Sequence, residues 1–516
     1  MSKSELTLPE ISPEFKPNYD FVKTREMHIT DWFRTFFVTF ALYRARQRIP
    51  KIDGFAETQR KIVWNALVNN YISKEKSEDI LSDVNKSSQY HHGIASKENV
   101  YNNLVAPYKN NLRFFKADGN FGFRYIQEAA AIRYTYSRNQ KILKKIFHEE
   151  DIIATHSYRT TEGKPCEPET LYPILPIGII NGQNQIGVGF ASTLLPRKVE
   201  TILDLFIGIL SGTVTNLPAY LAPEYPYYSG PTNIVDVNKW SLKGKVHIEV
   251  GKRGKKVIRI TEVPPNWDKY TLINKLENLK EAGIIDSYQN NSIKNTFDVD
   301  IISSKLDSLP EDKILEKLEL ETTVTESFVY YTSDDKFQLE CKNIAEYINY
   351  FITERIKVYE ARKKYLSEKA YFDMQKTIAI INYINEINEG RIEVKKKTEE
   401  ELIAQLQQYP DNYLFKPLPD KFNYIPDFAR NIIQPTGTYD YLFDIPLKSL
   451  TPKKIEDLTK KYHTLYAEYQ ELLNTTTTKM WLDDLLDFKQ EYEKELKREK
   501  GKGVSKPLTE RKNFEK

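Results

Sequence analysis

The first part of the chain has hydrophobic residues at helical spacing. Aromatic and apolar residues recur every three or four positions from Trp32 to Arg48 and stop before Pro50, which predicts a helix there. Thr58 can cap a second helix, and the pattern from Asp79 to Val84 predicts another short one. Short helices joined by polar turns are typical of a helix-turn-helix or winged-helix module.

The middle of the chain changes to strand patterns. Residues 170–190 begin apolar and proline-punctuated and end glycine-rich, which predicts buried strands and tight turns. Residues 245–250 alternate between polar and apolar side chains, 251–254 give a turn signal, and 258–260 alternate again. This pattern predicts a β-hairpin with a basic tip, within a mixture of helices and strands that continues to about residue 335.

The last third carries two long stripes with coiled-coil spacing. Both predict long helices, and their residues are Ile344, Ile348, Phe351, Arg355, Val358, Arg362 and Tyr365, then Ile455, Leu458, Tyr462, Leu465, Tyr469 and Leu472. The stretch between them is rich in proline. Two interpretations are open, namely two helices of an ordinary bundle, or an antiparallel coiled coil with a small globule at its tip. The wide separation of the stripes favours the coiled coil.

Composition is typical of a folded, multidomain α+β protein. The chain has 516 residues, too many for one hydrophobic core, and 40 % of them are hydrophobic while 28 % are charged. Lysine and arginine total 75 against 72 acidic residues, a formal charge of +3. This balance neither favours nor excludes nucleic acid, so a DNA-binding surface would have to be a local patch.

Targeting and cysteine signals indicate a soluble protein of the cytoplasm. The cysteines Cys166 and Cys341 lie far apart without a metal-ligand spacing, so neither a disulfide framework nor a zinc site is expected. The N-terminus carries no apolar signal segment, and no apolar run approaches the roughly 20 residues needed to cross a membrane. We therefore expect no membrane partner and no metal ligands on this chain.

Sequence motifs exclude several enzyme classes and leave one cluster. The sequence has no GxxxxGK[ST] loop, no HExxH helix and no GxSxG elbow, so ATP and metal ions, if used, are expected on another chain. Arginine, histidine, glycine and tyrosine concentrate between residues 48 and 138, in segments that share a phosphate-binding character: Arg48-Ile-Pro-Lys-Ile-Asp-Gly54, Gln59-Arg60-Lys61, Tyr90-His-His-Gly93, Asp118-Gly-Asn-Phe-Gly122 and Ala129-Ala-Ala-Ile-Arg-Tyr-Thr135.

This residue set suits phosphodiester transfer. A tyrosine oxygen that attacks phosphorus needs cations near the non-bridging oxygens, and arginine supplies a bidentate fork for them. Glycine lets the backbone approach a phosphate, and histidine can donate to it. An ordinary structural interpretation is open as well: the chain has 34 tyrosines, an Arg-Tyr pair is usually a packing feature, and His91-His92 is more often a satisfied turn.

The ordered segments resemble the breakage-reunion subunit of type IIA DNA topoisomerases. That group contains gyrase A, its counterpart in topoisomerase IV and the medium subunit of T4-like phage topoisomerase, and the chain is most similar in kind to the last. The resemblance rests on Arg48 to Lys61, Tyr90 to Gly93, 118–122 and 130–135, continues through Glu167 to Gly189, and ends with Leu447 to Leu458.

The resemblance implies a role for individual residues. Tyr134 matches the nucleophile that becomes joined to DNA, and Arg133 matches the neighbouring phosphate-binding arginine. Ile186 matches an isoleucine that wedges between base pairs and bends the duplex. The expected DNA contacts are Arg60, Lys61, Asn120, and His91 or His92.

The resemblance also implies the architecture. It predicts an N-terminal arm (1–25), a winged-helix DNA-gate domain (26–155), an α/β tower domain (156–340), a coiled coil ending in a helical dimer-gate globule (341–490), and a charged, frayed tail (491–516). Two copies joined at the globule would cut opposite strands of double-stranded DNA, each leaving a 5′-phosphotyrosine link, and pass a second duplex through. Mg²⁺ and ATP would be held by a separate B-type subunit with Toprim and ATPase domains.

Two alternative functions are open, and one further expectation concerns the topological change made in DNA. The rivals are a non-catalytic, architectural DNA-binding protein and a structural dimerisation scaffold with an SMC-like hairpin. Retention of Arg60, Arg133 and Tyr134 together argues against both. Because Lys497 to Lys516 show no strand pattern and no wrapping domain follows, we expect ATP-dependent relaxation and decatenation without negative supercoiling, in the cytoplasm (the host's, if the source is viral).

Overall fold

The computed structural model describes residues 28–88, 94–155, 158–161, 164–250, 256–332, 338–409, 413, 439–446 and 450–500. The N-terminal arm, the tip of the basic hairpin and most of the proline-rich stretch lie outside these ranges. Within them the fold is a mixture of α-helices and antiparallel β-sheets. The described interior includes three large hydrophobic clusters and a small one formed by Ala45, Ile49, Val329 and Tyr331.

The N-terminal helices follow the hydrophobic pattern closely. One helical run consists of α1 (Ile29–Trp32), a π-helical turn (Phe33–Phe37) and α2 (Val38–Arg48), and extended backbone at Ile49 ends it before Pro50. The helices that follow are α3 (Glu57–Asn69), α4 (Ser77–Ser88) and α5 (Ile94–Val105). The expected cap at Thr58 is wrong, because α3 starts one residue earlier and the Gln59 side chain accepts the N–H of Ala56 at 2.9 Å.

A three-stranded sheet lies against these helices. Its order is β1 (Glu75–Lys76), β3 (Tyr136–Asn139) and β2 (Phe115–Asp118), all antiparallel. A 3₁₀ turn (Ile132–Tyr134) leads directly into β3, and α6 (Ile142–Ile146) and α7 (Glu149–Thr155) follow it. The sheet therefore brings the segment after β2 and the segment before β3 to the same end.

The segment at 170–190 differs from the expectation of buried strands. After the hairpin β4 (Tyr158–Thr161) and β5 (Lys164–Pro168), the apolar run forms a short buried helix, α8 (Ile177–Asn181). The strands come later, as the hairpin β6 (Gln183–Ile186) and β7 (Ala191–Leu194), and α9 (Val199–Leu210) follows. A short apolar run cannot distinguish a buried strand from a buried helix, which explains the error.

A second core is formed by residues between Val246 and Leu320 together with Tyr125, and sheets surround it. One sheet has the order β14 (Glu321–Thr325), β9 (Lys239–Lys243), β8 (Thr232–Asp236), and another has the order β10 (Lys245–Val250), β11 (Lys256–Glu262), β13 (Val299–Ile302), β12 (Ser287–Asn290). The hairpin predicted from the alternating residues is confirmed as β10 and β11. Two helices complete the core, α10 (Lys269–Glu281) and α11 (Glu311–Lys317).

Long helices dominate the rest. After the hairpin β15 (Phe328–Tyr331) and β16 (Gln338–Cys341), the helices are α12 (Ile344–Asn388), α13 (Glu399–Leu406), α14 (Asp440–Phe443), α15 (Pro452–Asn474) and α16 (Thr477–Lys500). The two predicted stripes lie on α12 and α15, which run antiparallel: Lys363 Nζ reaches the carbonyl of Leu473 at 3.0 Å, while the rings of Tyr371 and Tyr469 are 5.8 Å apart.

The C-terminal helix corrects the expected frayed tail after residue 490. α16 continues to Lys500, and Trp481, Leu485 and Phe488 on it are fully buried in the same cluster as α3, α9 and the first part of α12. The indole N–H of Trp481 donates to the carbonyl of Ile174 at 3.0 Å. The chain thus leaves the central core along α12 and returns to it along α15 and α16.

Candidate active site

Tyr134 stands at the end of a short, anchored turn. The 3₁₀ turn is closed by hydrogen bonds from the Tyr134 N–H to the Ala131 carbonyl (2.9 Å) and from the Thr135 N–H to the Ile132 carbonyl (3.4 Å). Ile132 and Thr135 on either side are buried, whereas the Tyr134 side chain is 67 % exposed. Burial of the flanking residues fixes the backbone, so the phenol is presented to solvent from a rigid base.

Arg133 places a positive charge beside that phenol. Its guanidinium carbon lies 5.1 Å from the centre of the Tyr134 ring, and its side chain is exposed. A cation over an exposed ring is stabilised by only about 0.5–1 kcal/mol, so the guanidinium can exchange this contact for a phosphate. The pair therefore combines an accessible hydroxyl with an accessible bidentate donor.

The loop after β2 comes against the same turn. A Cβ added to Gly119 would lie 3.4 Å from Thr135 Cα and 3.5 Å from the Tyr134 carbonyl oxygen, and the φ of Gly119 is +106°, where L side chains are strained. Asn120 is exposed, and its side-chain oxygen accepts the N–H of Gly122 at 2.9 Å. The structure thus places Asn120 next to Tyr134.

A further cation at this end of the sheet has no signal in the sequence. Lys74 Nζ lies 3.0 Å from Asp118 Oδ2 and 4.4 Å from the centre of the Tyr136 ring, and both charged side chains are half exposed. Exposed ion pairs are weak, so Lys74 is available to an incoming phosphate. A single lysine between two helices has no motif around it, and only the sheet pairing reveals its position.

Arg60 and Lys61, which were expected to contact DNA directly, are buried in this structure. Arg60 is 3 % exposed, and its guanidinium donates to both carboxylate oxygens of Asp53, at 2.6 and 3.1 Å, and to the Phe55 carbonyl at 2.8 Å. Lys61 is 7 % exposed and lies 2.5 Å from Glu167 Oε1. A buried, paired cation cannot contact a phosphate without breaking its ion pair. In this conformation both residues stabilise the start of α3.

Ile186 lies at the tip of the β6–β7 hairpin, apart from the buried core. Its side chain is 71 % exposed, and it pairs across the hairpin with Ala191. Phe190, 47 % exposed, is next to the turn, where Gly187 donates to its carbonyl at 2.8 Å. Ile186 therefore takes no part in the described core, and its side chain is accessible from solvent.

His91 and His92 lie outside the described residues. The helix that follows them, α5, is fixed to α4 by Lys97, whose Nζ donates to the Leu81 carbonyl at 3.0 Å and to the side chain of Asn85. Burial lowers the pKa of Lys97 to about 8. The elements on both sides of the histidine segment are therefore joined to each other.

Metal-ligand clusters and membrane-spanning helices are both missing from the described ranges. Among the residues that the structure describes, no group of three or more histidine, cysteine, aspartate or glutamate side chains could hold a metal ion. Nor does any described helix have the length and apolarity to cross a membrane.

The family assignment follows from comparison with known proteins. The family model that describes the A subunits of DNA gyrase and topoisomerase IV matches residues 47–486. The chain belongs to this family. The matched range includes the Arg133–Tyr134 turn, the β6–β7 hairpin and the long helices.

Individual relatives are distant in sequence. The chain is 24 % identical over 490 residues to DNA topoisomerase 2 of Penicillium chrysogenum, covering 90 % of this chain and 30 % of that protein. With DNA topoisomerase 2 of Plasmodium falciparum, identity is 26 % over 497 residues, covering 90 % and 34 %. The chain thus spans about a third of the length of these relatives.

A solved structure shares the fold. The crystal structure of the Plasmodium falciparum topoisomerase II DNA-binding, cleavage and re-ligation domain superposes with a TM-score of 0.78 at 24 % identity. The match covers 93 % of this chain and 66 % of that chain. About a third of the solved domain therefore has no counterpart here.

Proposed function

We propose that this chain is the breakage-reunion subunit of a type IIA DNA topoisomerase, with Tyr134 as its nucleophile. One observation carries the proposal: Tyr134 is 67 % exposed on an anchored turn, with the Arg133 guanidinium beside its ring. Membership of the family formed by the A subunits of DNA gyrase and topoisomerase IV supports it.

In the proposed reaction the Tyr134 hydroxyl oxygen attacks a DNA phosphorus atom. A 5′-phosphotyrosine ester forms, the bond from phosphorus to the 3′-oxygen breaks, and the leaving 3′-oxygen gains a proton while the tyrosine loses one. Charge increases on the non-bridging oxygens, and Arg133 is proposed to neutralise it through bidentate donation. Resealing reverses the step, and it needs no ATP because the ester retains the energy of the broken bond.

The proposed architecture assigns 26–155 to a winged-helix DNA gate, 156–340 to a tower, and 341–490 to a coiled coil and dimer gate. Three features support it. Helices α3–α5 pack with the small sheet β1–β3–β2, residues between Val246 and Leu320 form a separate core, and α12 runs antiparallel to α15. A further cluster around Tyr383 and Leu442, at the far end of α12, supports a globule where two copies would meet.

Bending of the cut duplex is proposed to depend on Ile186. Its exposure at the tip of the β6–β7 hairpin supports insertion between base pairs, since such a wedge needs an accessible apolar side chain. Asn120 and Lys74, at the Tyr134 end of the β1–β3–β2 sheet, are proposed to contact the phosphates. The proposal leaves Arg60 and Lys61 as residues that position α3.

A second subunit with Toprim and ATPase domains is proposed to supply Mg²⁺ and ATP. The residues described here form no cluster of histidine, cysteine, aspartate or glutamate side chains suited to a metal ion. The helical run Ile29–Arg48 supports a protein partner. It exposes Trp32 and Phe33 by nearly half of their surface, together with Phe36, Phe40 and Tyr43, and contiguous exposed apolar faces mark interaction sites.

The direct test traps cleaved DNA on the protein. The chain is mixed with end-labelled duplex DNA, Mg²⁺, ATP and the B-type subunit encoded by the same genome, and detergent then stops the reaction. Labelled DNA linked to this chain through its 5′ ends is the expected result. Duplex binding without any linked DNA would instead favour the architectural, non-catalytic function.

Relaxation and decatenation, rather than supercoiling, are the proposed topological changes, in the cytoplasm. The reconstituted enzyme and ATP are given relaxed plasmid, and chloroquine gels separate the topoisomers. Negatively supercoiled product would contradict this part of the proposal and leave the cleavage chemistry intact.

A further inference from the structure

Four hydroxyl groups form a buried cluster directly beneath the Tyr134 turn. They belong to Ser77, Tyr101, Thr135 and Ser137, each at most 1 % exposed. Thr135 Oγ1 donates to Ser77 Oγ at 2.9 Å, and the Tyr101 hydroxyl donates to the same Ser77 oxygen at 3.2 Å. Tyr101 also lies 2.7 Å from Ser137 Oγ. This hydroxyl cluster contains no carboxylate or cation, so its geometry depends on hydrogen bonds alone.

The cluster joins three elements around the proposed nucleophile. Ser77 is the first residue of α4, Tyr101 lies on α5, and Thr135 and Ser137 stand at the start of β3, right after Tyr134. The backbone is tied at the same point, since the Ser77 N–H donates to the Thr135 carbonyl at 3.0 Å. Through these bonds the position of the residue after Tyr134 is set by two helices that are remote in sequence.

The tyrosine of the cluster remains a donor at all physiological pH values. Burial raises the pKa of Tyr101, and its hydrogen bonds with Ser137 and Ser77 lower it only in part. A protonated phenol bonded to Ser77 leaves that oxygen with acceptor positions for both Tyr101 and Thr135. The arrangement is complete in the described geometry, and removing one hydroxyl leaves buried partners unsatisfied.

We propose that Tyr101 is a positioning residue for DNA cleavage, which holds Tyr134 in its attacking position through Ser77 and Thr135. This inference rests on the proposed function of Tyr134 and extends it to residues that carry no DNA-binding motif. Nucleophilic displacement requires the attacking atom within a narrow range of distance and direction, so a small shift of the turn slows the chemical step. DNA affinity depends on exposed phosphate contacts and should be unaffected.

The test removes single hydroxyls and separates rate from binding. Tyr101→Phe is expected to slow the formation of covalent adducts about 10- to 100-fold at saturating DNA, with unchanged affinity for duplex DNA. The matched control is Tyr71→Phe, which removes a hydroxyl that also bonds to α4, through Asp83 at 3.0 Å, but has no contact with the cluster. The control should cleave at the wild-type rate, and thermal melting is recorded for both.

A second pair of variants keeps the test decisive if Tyr101→Phe folds poorly. Thr135→Val keeps the shape of the side chain and removes its hydroxyl, whereas Thr135→Ser retains the hydroxyl. Slow cleavage by the valine variant together with near-normal cleavage by the serine variant supports the proposal. Wild-type rates for Tyr101→Phe and Thr135→Val, or losses that only follow the melting temperature in every variant, would overturn it. Absence of adducts with the wild-type chain would instead refute the proposed function itself.

Discussion

Arg133 and Arg60 belong to the same side-chain type but have opposite surroundings. Arg133 is exposed beside the Tyr134 ring, while Arg60 is buried against Asp53. An exposed guanidinium can bind a phosphate that arrives with DNA. A buried one stabilises the fold by neutralising a carboxylate that would otherwise lack a counter-charge. The two arginines should therefore respond differently to the same substitution.

Arg133→Ala is expected to slow adduct formation by about 10²-fold or more, the scale for losing a preorganised charge-stabilising donor. Folding should be unchanged because the side chain is exposed. Single-turnover cleavage with end-labelled DNA measures the effect. Arg138→Ala, an exposed arginine on β3, is the control. Equal rates for the two variants would assign Arg133 no part in the reaction.

Arg60→Ala is expected to lower the free energy of unfolding by about 3–5 kcal/mol, because it leaves the Asp53 carboxylate buried without its cation. Asp53 also accepts backbone N–H groups of Phe55 and Leu171, at 3.0 Å each, so the loss extends beyond α3. Urea unfolding monitored by circular dichroism measures it. Unchanged stability with much weaker DNA binding would restore the direct DNA contact expected from the sequence.

Among the elements, the β6–β7 hairpin carries the exposed Ile186, which we propose bends the bound duplex. Ile186→Ala should reduce the bend of bound DNA more than the affinity, since phosphate contacts dominate binding. Fluorescence energy transfer between the ends of a duplex reports the bend. Ile293→Ala is the control, because Ile293 is also an exposed isoleucine (52 %) but lies in a turn outside the β6–β7 hairpin. Wild-type bending by the Ile186 variant would exclude the wedge.

A buried ionic cluster joins α7, α12 and α16. Asp151 accepts from Arg355 at 2.6 Å and from Arg362 at 2.6 and 2.7 Å, while Arg362 also donates to Asp484 at 2.6 Å. Burial alone would raise the pKa of Asp151, but the two arginines outweigh it and hold the pKa below its ordinary value of 3.8. The cluster lies where the long helix leaves the central core.

Asp151→Asn should lower the free energy of unfolding at pH 7 by about 3–5 kcal/mol, because both arginines lose a buried counter-charge. The folded pKa is below the unfolded one, so this stabilisation is present above the unfolded value and lost as the pH falls below about 4. Urea titrations at pH 7 and pH 3.5 should show that the difference in unfolding free energy between variant and wild type is smaller at pH 3.5. Asp487→Asn, a half-exposed partner of Lys145, should have little effect at either pH.

Sequence patterns predicted those helices and strands in which hydrophobic residues recur at a regular spacing. The stripes were sufficient to predict the helices α12 and α15, and the alternation was sufficient to predict the strands β10 and β11, because each pattern follows from local periodicity. The short helix α8 was missed, since a helix of five residues, four of them buried, shows no hydrophobic period. Within the site, Tyr134 and Arg133 were found through their motif, whereas Tyr101 and Lys74 reach the site only through packing and strand pairing.

At the scale of the whole molecule, the return of the C-terminal helix could not be read from the sequence. Trp481 stacks on Tyr359 with ring centres 5.6 Å apart, and Lys489 pairs with Asp204 at 2.9 Å. These contacts join residues more than a hundred positions apart. The base of α12 is consequently held between the central core and α16.

The identity of the residue that becomes linked to DNA decides whether Tyr134 is the nucleophile. Adducts formed by the reconstituted enzyme are digested with protease and nuclease, and mass spectrometry locates the nucleotide-bearing tyrosine. A 5′-nucleotide on Tyr134, together with loss of all adducts but retention of DNA binding in Tyr134→Phe, is the predicted result. A nucleotide on another residue, or adducts that persist in the phenylalanine variant, would contradict the assignment.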